Sequence, residues 1–141
     1  MKKLMLWMVV VACLGVMGCA AQQRTLGQKP IPTAQEIANA YYGDAPKPEN
    51  YEQIVKDFQA KRLNDPYSAV YVFDGPPKKG YVTYWLLGPH SWVTQYGYCG
   101  QTSLNARNRY GGYVGAKNYG YIIRNNSVVE FVEGMECVPL E

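Results

Sequence analysis

The sequence predicts an α+β fold, with N-terminal helices packed on a four- to five-stranded antiparallel sheet. Three observations lead there. Helix-capping patterns occur at Thr33 and Asn50, before any strand-like run. From Ser68 onward, short runs of aromatic and β-branched residues replace the helical period. Clusters of Gly, Pro and Asn separate those runs at turn spacing.

The N-terminus reads as an export signal. Met1-Lys2-Lys3 is followed by the apolar run Leu4 to Val16 and the small-residue junction Gly18-Cys19-Ala20-Ala21. The run of about 13 residues falls short of the roughly 20 that a bilayer-spanning helix needs. The expected division is therefore 1–18 as signal peptide, 19–32 as Cys19 with a flexible tether, and 33–141 as one α+β domain. Val16-Met17-Gly18-Cys19 resembles the lipobox of bacterial lipoproteins. The resemblance implies lipidation of Cys19 as the new N-terminus and a stable membrane anchor through several acyl chains. With Ala20 rather than Asp after the cysteine, it further implies an outer-membrane address.

Loss of the signal changes the composition. The whole chain carries 14 Lys+Arg against 11 Asp+Glu; Lys2 and Lys3 leave with residues 1–18, so 12 face 11. A near-neutral chain speaks against a nucleic-acid partner, which requires a basic face. Cys13 is discarded and Cys19 carries lipid, which leaves Cys99 and Cys137. In an oxidising compartment two such cysteines pair more often than not; two buried thiols or a reactive Cys99 are the alternatives.

The elements follow in order. Thr33-Ala34-Gln35-Glu36 has capping-box spacing and should start a short helix through Tyr42, stopped by Gly43 and the prolines after it. Asn50, with Gln53 at the box position, should cap a second helix over Tyr51 to Leu63. Its apolar residues Tyr51, Ile54, Val55, Phe58 and Leu63 share one side. Asn64-Asp65-Pro66 ends it. Ala69 to Phe73 is the first strand, and Asp74 to Gly80 carries turn chemistry. Tyr81 to Leu87 is the second strand, stopped at Gly88-Pro89, and the third runs from about Val93 through Cys99 towards Arg107. The last two, Tyr119 to Arg124 and Ser127 to Val132, flank Asn125-Asn126, a pair that tolerates the positive φ of a tight hairpin. Simple pairing sets Ile122 opposite Val129, Tyr121 opposite Glu130, and Phe131 over Gly120.

Catalytic constellations are weakly supported. A Cys99 thiolate with His90 as base needs a free thiol, and His90 is the one histidine, in a Gly-Pro-His turn. No Gly-x-Ser-x-Gly elbow, zinc-ligand spacing or Gly-rich phosphate loop is present, so neither metal nor cofactor is expected. The acids lie along helix faces and the C-terminal segment rather than in a catalytic pair.

Tyrosine is the stronger lead. All 13 lie after the signal, and Arg107, Arg109, Tyr110, Tyr113, Tyr119 and Tyr121 form a candidate binding surface. Tyrosine gives rigid amphipathic contact area; it also fills half-wet strands on propensity alone, and both readings stand. Arg107, Arg109, Lys117 and Arg124 precede Glu130, Glu133, Glu136 and Glu141. The two sets either neutralise each other or leave an anion patch suited to lipopolysaccharide phosphates or peptidoglycan carboxylates. The segment Asn105 to Gly115 suits a strand end followed by a Gly111-Gly112 turn. If Tyr113 lies against the sheet with its hydroxyl satisfied, that tyrosine is architecture.

The order Leu63-x-Asp65-Pro66-x-Ser68-Ala69, then Tyr98-Cys99, then Asn105-Ala106-Arg107-Asn108-x-x-Gly111-Gly112-Tyr113-x-Gly115 is similar to a group of small exported bacterial lipoproteins. It covers roughly Gln53 to Val132 and implies a shared α+β fold. It implies no catalytic residue. The sequence therefore points to a non-enzymatic, lipid-anchored envelope module on the outer membrane, facing the periplasm or the cell surface. Its partner would be an envelope protein or glycan. The alternative is an inhibitor of an envelope or host hydrolase of the lysozyme kind, acting through a Tyr110 to Lys117 loop, with a small enzyme third.

Overall fold

An antiparallel sheet of six strands organises residues 27–140, the part of the chain that the computed structural model describes. Residues 1–18 and Cys19, and with them the export-signal and lipidation expectations, lie outside the described residues. In chain order, α1 (Ala34–Asn39), α2 (Tyr51–Ala60) and a 3₁₀ turn (Pro66–Ser68) precede β1 (Val70–Phe73), β2 (Lys78–Leu86), β3 (Ser91–Asn105), β4 (Lys117–Arg124), β5 (Ser127–Glu133) and β6 (Val138–Pro139). The strand order is β5-β4-β3-β2-β6, and β1 pairs with β3.

This overturns the expected layer of N-terminal helices on a four- to five-stranded sheet. The fold is mostly antiparallel β, and the two helices are short. Lys78 to Gly80, expected in a turn, join β2 instead, and the segment after β5 adds a further strand at Val138-Pro139. The helices lose length correspondingly. α1 stops at Asn39 rather than Tyr42 and buries none of its residues. Its capping box is present: Thr33 Oγ1 accepts from Glu36 N (3.2 Å) and Glu36 Oε2 accepts from Thr33 N (2.7 Å). α2 ends at Ala60, and Asn50 makes no side-chain cap; Gln53 donates instead to Asp57 one turn on (2.7 Å). Tyr51 and Val55 are buried against Tyr121 and Ile123, with Ile54, Phe73, Val128 and Phe131 around them.

β3 is the spine. β4 takes one of its edges from Tyr98 to Leu104. β2 and β1 lie end to end on the other, Leu86↔Ser91 to Lys78↔Cys99 and then Phe73↔Thr102 to Val70↔Asn105. The turn chemistry of 74–77 therefore makes a detour and not a reversal. Asp74 N still donates to Gln101 O (3.2 Å), while four residues stand against Gly100 and Gln101.

The β4–β5 hairpin turns at Asn125-Asn126 with φ of 49° and 58°, the left-handed geometry that asparagine tolerates. Its register departs from simple pairing. Ile123 faces Val128, but Ile122 faces Glu130, so Val129 is bulged out and Tyr121 meets Phe131. The bulge turns both Val128 and Phe131 towards α2. Phe131 stacks on Tyr119 (4.7 Å) rather than over Gly120.

The opposite face is crossed by residues 134–139, which leave β5, pass beneath β4 and β3, and pair at the β2 edge through Gly80↔Pro139 and Tyr81↔Val138. Two glycines make room for this strap. A β-carbon on Gly120 would strike the Met135 carbonyl, and one on Gly80 the Val138 carbonyl. Midway, Cys137 is bonded to Cys99. The expected disulfide is thus formed, and with Met135, Val82 and Ile122 it makes the second core.

Candidate binding surface

The loop after β3 is built by one asparagine. Asn108 Oδ1 accepts from the backbone N–H of Tyr110 (2.9 Å) and Gly112 (3.2 Å). Its own N–H donates to Gly112 O, and its carbonyl accepts from Gly111 N, both at 2.9 Å. Gly111 supplies the positive φ of 80° that the reversal needs. The returning chain closes as a bridge between Arg107 and Tyr113.

A second set of bonds fastens this loop to the 3₁₀ turn. Asp65 Oδ1 accepts from Ser68 N (3.3 Å), fixing the turn. Ser68 Oγ then accepts from Arg107 N (2.9 Å), and Ser68 O accepts from the Tyr113 hydroxyl (3.1 Å). The Leu-x-Asp-Pro-x-Ser-Ala and Asn-Ala-Arg-Asn segments, far apart in sequence, are thus parts of one joint.

The placements of the candidate residues differ. Arg107, Arg109 and Tyr110 are exposed, Tyr110 at 80%. Arg107 lies over the Tyr113 ring (5.3 Å) and Arg109 over Tyr110 (4.9 Å). Tyr113 is half exposed with its hydroxyl held by Ser68, so it serves as a strut. Tyr119 is half buried in its stack with Phe131. Tyr121 is a correction: it is completely buried at the centre of the α2 face and belongs to no surface. Burial pushes its phenol pKa up, with smaller contributions from Tyr51, Glu52 and Asp74.

Composition alone could not separate these roles, because Tyr119 and Tyr121, two residues apart, share one face of a strand that is apolar on both faces. It also passed over Tyr67, which is fully exposed between Pro66 and the Ser68 joint. Its one signal was an aromatic at the free position of an otherwise architectural Asp-Pro-x-Ser turn.

Of the expected charge neutralisation, Lys117 pairs with Glu133 at 2.9 Å. Arg124 donates instead to Gln95, and Glu130 accepts from Tyr84 (2.6 Å). His90 closes the exposed β2–β3 turn with φ 49°, and Cys99 carries no thiol, so the cysteine–histidine pair lacks its nucleophile. Compared with family models, curated proteins and solved structures, the chain matches none of them.

Proposed function

We propose that this chain is a lipid-anchored envelope protein that binds a partner without catalysing a reaction, through Arg107, Arg109 and Tyr110. The supporting observation is that these exposed groups sit on a loop already ordered by Asn108 and Ser68. A preordered aromatic and guanidinium pair loses little entropy on binding. Guanidinium matches carboxylate or phosphate oxygens, and a tyrosine face matches a sugar ring. An envelope glycan bearing carboxylates therefore fits this chemistry, as does an acidic protein surface.

Capture of peptidoglycan fragments by the full lipidated chain tests the reading. An Arg109→Ala, Tyr110→Ala variant should bind at least tenfold more weakly with unchanged thermal stability; equal capture would remove the loop from the mechanism. Mass spectrometry of the membrane-extracted N-terminus tests the anchor, and an unacylated, soluble mature chain would sink it. The inhibitor reading draws on the same loop, whose Tyr110 projects from a rigid base as a plug for a hydrolase cleft. It requires that the chain slow a lysozyme-type hydrolase and that Tyr110→Ala restore the rate.

A further inference from the structure

We propose that the β2–β3 turn, Trp85 to Trp92, is a second lipid contact that seats in the bilayer interface. The proposal rests on the lipid anchor of the preceding reading. The turn has the ordinary turn residues Gly88-Pro89 at its centre, but its flank is not ordinary. Here Trp85, Leu86 and Leu87 run into the turn and are exposed, Leu87 at 77%. Trp85 and Trp92 pack edge to face across the strand pair (5.4 Å), which makes the protrusion a stiff apolar wedge.

Carboxylate, ammonium and guanidinium side chains are absent from all of the hairpin but its first residues, Lys78 and Lys79. From Tyr81 to Ala106 the chain holds no Asp, Glu, Lys or Arg. Lys79, the nearest lysine on β2, stands seven residues from Leu86, about 23 Å along the strand. Glu36, on the wall of an adjoining groove, and Arg124, held by Gln95, belong to other elements. The turn, whose one titratable side chain is His90, can thus enter the headgroup region without dehydrating a carboxylate, ammonium or guanidinium group, and tryptophan is the side chain that favours that depth.

The position of the tether selects lipid as the occupant. Pro30 and Pro32 share a groove of about 400 Å³ with Trp92, Thr94 and Tyr96, and Ile31 between them is exposed. The chain therefore reaches the sheet beside the tryptophans. From Gly27 back to Cys19 is eight residues, which span at most about 28 Å. That reach lets an acylated Cys19 and the Leu-Leu turn enter the same membrane. The Arg–Tyr loop lies at the other end of β3, whose fifteen residues extend roughly 45 Å, and it is held that far from the lipid.

Tryptophan emission reads this contact directly, since after removal of 1–18 the remaining tryptophans are Trp85 and Trp92. The full lipidated chain is reconstituted into phosphatidylethanolamine–phosphatidylglycerol vesicles, with and without bromine on the acyl chains. Flotation reports the anchor, and quenching by brominated lipid reports the turn. The expected result is co-flotation with at least half of the emission quenched, and a Leu86→Glu, Leu87→Glu variant that still floats but is quenched less than a fifth. A chain that floats with equal emission in both vesicles overturns the turn contact and leaves the anchor standing. A chain that does not float overturns both. Unquenched tryptophans in a crosslinked pair of chains that the double variant dissolves would assign the turn to a second copy, which also overturns the lipid contact.

Discussion

The Met135 carbonyl rests on the bare Cα of Gly120, strap backbone against sheet backbone. A side chain in collision could rotate away, but a carbonyl fixed between Cys137 and β5 cannot. Gly120→Ala should therefore destabilise by about 2–3 kcal/mol, seen as a lower urea midpoint at unchanged slope. Gly112→Ala is the control. Its β-carbon would meet nothing nearer than Asn108 Oδ1 at 3.9 Å, so the change should stay within about 0.5 kcal/mol.

Reducing the Cys99–Cys137 bond releases the strap and opens a 38-residue separation. The chain-entropy model puts the loss at about 3–4 kcal/mol. Thermal denaturation with and without reductant should show a drop on the order of 15 °C; an equal melting temperature would mean that packing of Met135 alone holds the strap.

Tyr84 reaches across the strap face to Glu130. Its burial, and then its hydrogen bond to Glu130 and that residue's charge, push its pKa up to about 12, against a smaller lowering by Gln95. A folded-state value raised above the free value of 10 means that the proton is held more tightly in the folded chain. The stabilisation is whole below pH 10 and is lost as pH climbs towards 12. Tyr84→Phe should cost about 1 kcal/mol at pH 8 through the lost hydrogen bond and should flatten the decline between pH 8 and 11. Urea midpoints at those two pH values decide it.

The Tyr121 hydroxyl is buried against Gly100 with no hydrogen-bond partner among the described residues. A buried donor left unpaired is a cost, so Tyr121→Phe should leave stability equal or raise it by up to about 1 kcal/mol. A loss beyond that, by urea denaturation, would show that the hydroxyl is bonded in solution.

Local chemistry was legible wherever a residue type has one conformational use. Thr33 with Glu36 marked a helix start, and Asn125-Asn126 marked a two-residue hairpin turn; both act over four residues or fewer. The Asn50–Gln53 cap failed locally, because Gln53 bonds Asp57 instead; the rest of what escaped depends on partners distant in the chain. Asp74 to Pro77 has reversal chemistry, yet the length of β3 offers an edge for the chain to rejoin, so it detours. Val129 bulges because Val128 and Phe131 are both drawn to α2, while the alternation of Val-Val-Glu-Phe-Val fits either phase. At the candidate surface, Arg109 and Tyr110 were named as candidates from the sequence and are exposed, but the splitting of Tyr113 from Tyr121 as strut and core was not legible. Only the placement of Ser68 and Gly100 assigns those two rings.

The strap lies over β4 and β3, and Cys137 meets Cys99 with β5 in its bulged register. A β5 paired one residue out of step would deliver the strap with its faces exchanged and its sulfur turned away. Closure of the bond is thus expected to favour the register that bulges out Val129.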